Sequence, residues 1–117
     1  MATSTIKSDG YETALINTGN YIPTTGWDIK RVGSTVFLFL TNLSSAPAGA
    51  FNTGGAVIPA SMRPKPFVNK TIQPRTATAR PPIAVSVNSD GSISFYNYGG
   101  AFTGTVGINE TLSWPTI

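Results

Sequence analysis

The stretch "IAVSVNSDGSISFYNY", Ile83 to Tyr98, decides the fold. Ile83, Val85 and Val87 alternate with Ala84, Ser86 and Asn88. After "NSDG", Ile93 and Phe95 alternate with Ser92, Ser94 and Tyr96. An apolar residue at every second position is the period of a strand with one buried and one wet face. Two such runs about an Asp-Gly dipeptide predict a β-hairpin, because glycine supplies the positive φ of the turn.

The same grammar extends outward. Gly, Pro, Asn and Asp break the chain into short β-branched and aromatic runs, and no window shows helical periodicity. "GWDIKRVGSTVFLFLTNLSS" predicts a second hairpin: strands over about Trp27–Arg31 and Thr35–Asn42, with Gly33 in the turn. Val36, Leu38 and Leu40 point one way and Phe37 and Phe39 the other, so both faces of this strand are apolar. A strand with one wet face alternates. This one therefore calls for a further layer of the fold or for another subunit.

"APAGAFNTGG", Ala46 to Gly55, reads as a loop. In "VIPASMRPKPFVNK", Val57 and Ile58 are expected to end a short buried strand. Pro59 donates nothing to a ladder, and Pro64 and Pro66 force extended geometry on their predecessors. The stretch is a stiff corner leading to a strand over about Phe67–Ile72, with Arg63 and Lys65 as solvated corner residues. "QPRTATARPP", Gln73 to Pro82, is a second loop, and "TVGINETLSWPTI" supplies the last one or two strands, with Trp27 and Trp114 assigned to core or interface. Residues 1–24 are polar and turn-rich and read as a lead-in, linker or neck remnant; residues 25–117 form the main domain. About eight strands without a repeat imply an all-β domain: a compact antiparallel β-barrel or jelly-roll-like sandwich.

Composition narrows the chemistry. The 117 residues hold no cysteine and no histidine, which removes disulfides, thiolate metal sites and the commonest general base. No metal or other cofactor is expected. Charged residues make up 11%, and the net charge is +3. Only Arg63 and Lys65 approach a cluster, too sparse a basic surface for nucleic acid. "VFLFL" is far too short to insert into a membrane, and "MATSTIKSDG" lacks the apolar core of a signal peptide. Of the five carboxylates, Asp9 and Asp90 fall in predicted turns. Asp28 with Glu110 is the pairing hardest to exclude for a glycosidase, and no Gly-x-Ser-x-Gly elbow occurs. The chain is therefore read as a binding protein and not an enzyme.

Saccharides are held by aromatic faces against their C–H patches and by planar polar groups on their hydroxyls. Tyr96 and Tyr98 project opposite Phe95, beside Asn97 and the Gly99-Gly100 bend. Arg75 and Arg80 lie on the preceding loop and suit phosphate, carboxylate or hydroxyl groups. The candidate saccharide site is thus Arg75, Arg80, Tyr96, Asn97 and Tyr98. The competing reading has the tyrosines cover a subunit interface or pack on a neighbouring loop.

The ordered series Gly26-Trp27, "KRVGSTVFLFL", "VIPASMRPK" and "IAVSVNSDGSISF", closed by an apolar strand, resembles the C-terminal head domains of phage tail-fibre and baseplate receptor-binding proteins, especially those of phages of lactic-acid bacteria. The likeness covers about residues 26–117. It implies a β-barrel or jelly-roll head, a homotrimer, and recognition of a host cell-wall saccharide near a protomer boundary. It implies other tail or baseplate proteins as partners, and a place in the virion after assembly in the host cytoplasm. No ligand motif transfers residue by residue. A structural trimerisation or adaptor domain is the alternative that the same resemblance allows.

Overall fold

The computed structural model describes residues 3–6, 11–76 and 80–116, with the side chains of 3–6 left aside. Nine strands are present among the described residues: β1 (Thr3–Ile6), β2 (Tyr11–Ile16), β3 (Trp27–Val32), β4 (Thr35–Ser44), β5 (Gly49–Asn52), β6 (Val68–Ile72), β7 (Ile83–Val87), β8 (Ile93–Asn97) and β9 (Thr105–Pro115). The deciding hairpin is β7–β8, with Val87 opposite Ile93 and Ile83 opposite Asn97. Its turn closes through Gly91 N–H to the Asn88 carbonyl at 3.0 Å, and Gly91 takes φ +89°.

All strands pair antiparallel in two sheets. One runs β1-β2-β3-β4-β9, the other β5-β8-β7-β6. The pairs β4/β9, β5/β8 and β6/β7 are nested, like one long hairpin folded over on itself, which is Greek-key logic. The result is an open sandwich. At one seam the sheets touch: Arg75 bridges to Gly107 of β9, and Lys70 Nζ lies 3.3 Å from Glu110.

The core between the sheets follows period two. Val36, Leu38 and Leu40 of β4 are buried and meet Ile83, Val85, Val87 and Ile93 in the common cluster. Each such side chain stabilises by roughly 1.5–3 kcal/mol. Phe51 stacks on Phe95 with centroids 4.9 Å apart. Both tryptophans are core: Trp27 Nε1 donates to the Asn42 carbonyl at 2.8 Å, and Trp114 Nε1 to the Met62 carbonyl at 2.7 Å. Near Asn109, which takes φ +45°, the β4/β9 register slips, so that Leu40 faces Glu110 but Asn42 faces Gly107. Asparagine tolerates that conformation better than most residues, and the slip is a β-bulge.

Several sequence expectations change. "GAFN" within the expected loop is strand β5, paired with β8. Val57 and Ile58 are buried but belong to no strand; instead their N–H groups both reach the Gly91 carbonyl, at 2.9 and 3.1 Å. Ala60–Met62 is a short 3-10 turn. Arg63 is no free corner residue: its Nε donates to the Ile58 carbonyl at 2.8 Å, packed against Gly91. The corner is thus a strap tied to the tip of the β7–β8 hairpin. Residues 11–16, placed with the lead-in by sequence, are β2 and pair with β3 over their whole length. The outer face of β4 needs no third layer within the chain. Phe37 and Phe39 are half-buried beneath Lys30, whose Nζ sits 5.7 Å from each ring centroid.

Candidate functional site

Strand β8 separates its side chains by parity. Phe95 and Asn97 turn inward, while Tyr96 and Tyr98 stand outward, 46% and 62% exposed. Their ring centroids are 4.7 Å apart with planes inclined by 51°, so the pair forms one continuous aromatic ridge. Tyr96 has Ala50 of β5 on one side and Ala84 of β7 on the other. Both cross-strand neighbours thus carry only a methyl group. The next row across the sheet is Asn52, Ser94, Ser86 and Asn69. Ser86 Oγ donates to Asn69 Oδ1, and Asn88 Nδ2 to the Ser92 and Ser94 hydroxyls, both at 3.0 Å. The outer face of this sheet therefore presents two tyrosines above a floor of methyls, hydroxyls and amides.

The predicted polar partners divide. Arg80 lies against the Gly99-Gly100 bend that follows Tyr98. One Nη donates to the Gly100 carbonyl, just past Tyr98, and the guanidinium lies 4.0 Å from the centroid of Phe102. Stacking and a backbone acceptor hold it in place, and a guanidinium has further N–H groups to offer. Arg75 is placed differently. Its N–H donates to the Gly107 carbonyl at 2.8 Å, which fixes it at the seam with β9, and its side chain is exposed there. It shares the end of the sheet with the ridge.

Asn97 is 2% exposed and works inside the fold. Its Nδ2 donates to the Pro47 and Gly100 carbonyls at 3.0 and 3.1 Å, and its Oδ1 accepts the Gly99 N–H at 3.0 Å. Asn97 sets the bend that carries Arg80's anchor and presents no surface group to a ligand. Two contributors escape the sequence reading. Phe102 supports Arg80 from a glycine-rich bend, and Ala50 lies in a segment read as loop. Period two on β7 does reveal Ala84, and the same rule applied to "GAFN" would have revealed Ala50.

The candidate carboxylates do not face one groove. Asp28 pairs across the sheet with Phe39 and Glu110 with Leu40, adjacent residues of β4 that point to opposite faces. Glu110 is engaged by Lys70 at the seam. Among the described residues, no three His, Cys, Asp or Glu side chains gather as a metal site. A concavity of about 390 Å³ lies on the other sheet, between Tyr11, Thr13, Asp28, Lys30 and Phe39. No family model matches the chain, and no curated protein matches it significantly.

Proposed function

We propose that the chain is a saccharide-binding module, the receptor-binding head of a phage tail or baseplate, acting by recognition and not by catalysis. The observation that carries this reading is the exposed Tyr96–Tyr98 ridge above a small polar floor, with Arg80 pinned at its end. Pyranose C–H faces stack on such rings, and hydroxyls exchange water for serine, asparagine and guanidinium partners. The ordered motifs from Gly26-Trp27 to the hairpin support the phage assignment. Each site is shallow, and linked copies raise avidity by about 10²–10⁴. The opposed placement of Asp28 and Glu110 speaks against glycoside hydrolysis, which needs two carboxylates across one cleft.

The test is binding to a panel of purified cell-wall polysaccharides by calorimetry and glycan array. Saturable binding lost in Tyr98→Ala and reduced in Arg80→Ala supports the reading. Binding unaffected by both substitutions overturns the site, and no binding to any cell-wall glycan overturns the function.

A second reading has its own observation. Phe67 is 62% exposed at the proline corner. A rigidly presented phenylalanine suits docking to another tail or baseplate protein, as an adaptor domain would require.

A further inference from the structure

The outer face of the five-stranded sheet carries two rows of side chains that complement each other. Strand register aligns Thr13, Lys30, Phe37 and Ser113 in one row. It aligns Leu15, Asp28, Phe39 and Thr111 in the other, two residues along each strand. All eight are at least partly exposed. Between them runs the inward-facing row Ala14, Ile29, Leu38 and Leu112.

A two-fold axis along that central row, midway between two sheets stacked face to face about 10 Å apart, lays the first row of one copy on the second row of the other. Lys30 then meets the partner's Asp28, and Asp28 the partner's Lys30. Phe37 meets the partner's Phe39, Ser113 the partner's Thr111, and Thr13 the partner's Leu15. Each pairing is chemically matched: opposite charges, two aromatics, two hydroxyls, and a methyl on an aliphatic chain.

The charges are available for this. Neither Asp28 nor Lys30 has an ion pair or side-chain hydrogen bond among the described residues, and Lys30 rests only on the two phenylalanine rings. The self-complementarity also selects the symmetry. A two-fold interface uses one patch twice, whereas a three-fold ring needs two different patches that fit each other. We infer that this face is a homodimer interface whose occupant is a second copy of the chain. The inference does not rest on the saccharide reading, because the tyrosine ridge lies on the other sheet; it departs from the homotrimer that the phage resemblance implies, and the mass in solution decides between the two.

The experiment is sedimentation equilibrium on the whole chain and on three variants, with circular dichroism to monitor folding. The wild type is expected to approach twice 12.3 kDa as concentration rises. Asp28→Lys and Lys30→Asp each set like charges against each other twice, and each is expected to raise the dimer Kd about 100-fold or more. The double swap Asp28→Lys with Lys30→Asp recreates the complementarity and is expected to restore the dimer. A misfolded single variant does not mimic that rescue. A monomeric wild type at the highest concentration, a mass of three copies, or a double swap that stays as weak as the singles overturns the inference.

Discussion

Both carboxylate oxygens of Glu12 lie within hydrogen-bonding distance of the Ser61 hydroxyl, at 2.7 and 2.8 Å. Glu12 is on β2 and 1% exposed, while Ser61 belongs to the strap between β5 and β6. Arg31 Nη2 adds a longer contact at 3.3 Å from the neighbouring strand. A buried carboxylate needs such partners, because leaving an acceptor unsatisfied costs its desolvation. Ser61→Ala is therefore expected to destabilise the chain by about 1–3 kcal/mol, read as a lower urea midpoint at constant slope. No change in midpoint would show that Glu12 does not depend on the Ser61 hydroxyl.

The strap is held at its other end by Gly91. A Cβ there collides with Arg63 Nε and lies 3.0 Å from the Ile58 carbonyl, and the glycine has φ +89°. Gly33 has φ +61° but open space around it. Gly33→Ala carries only the backbone strain, about 1–2 kcal/mol. Gly91→Ala adds a steric conflict with the strap and is expected to cost at least about 1 kcal/mol more. Equal unfolding midpoints for the two variants would mean that Arg63 swings away freely.

What sequence could show here divides along physical lines. The β7–β8 hairpin, the inward side of β4 and the outward turn of Tyr96 and Tyr98 follow from alternation, which is local. Strand β5 was hidden because Gly49 and Ala50 carry little strand preference; β8 supplies the pairing. The burial of Glu12 was hidden because its partners stand 19 and 49 residues away. Arg63 and Asn97 look like surface residues by type, and only tertiary acceptors reveal them as internal. The packing of Arg80 on Phe102 is not legible in the sequence, since Phe102 comes from a bend without periodicity.

The hairpin turn carries a pH response. The Ser92 hydroxyl donates to Asp90 Oδ1 at 2.6 Å and the Ser92 N–H at 2.9 Å. These bonds hold the carboxyl below its usual 3.8, the side-chain bond being the larger cause. A depressed folded value stabilises the native state above the unfolded value, and the gain disappears as pH falls from 3.8 through the folded value. Asp90→Asn should accordingly be less stable than wild type at neutral pH, with the gap closing on acidification below that point. Urea midpoints across an acid series check this. A gap that widens in acid reverses the sign and refutes the assignment.

Tyr98 and Asn97 are neighbours in sequence with opposite consequences. Tyr98 is 62% exposed, so removing its ring takes little from the core. Tyr98→Ala is expected to leave the unfolding midpoint within about 0.5 kcal/mol of wild type and to weaken saccharide binding about tenfold. Asn97 is buried, and Asn97→Ala strands the Pro47 carbonyl and the Gly99 N–H and leaves the Gly100 carbonyl to Arg80 alone. That change is expected to cost about 1–3 kcal/mol in stability. Because Gly100 also anchors Arg80, binding should fall too, but through disorder of the bend. Adding Arg80→Ala to each variant separates the causes. On the Tyr98→Ala background the arginine still stands in place, so its loss should weaken binding further. On the Asn97→Ala background the bend that carries its acceptor is already loosened, so its loss should do less. Equal increments on both backgrounds would show that Asn97 has no part in positioning Arg80.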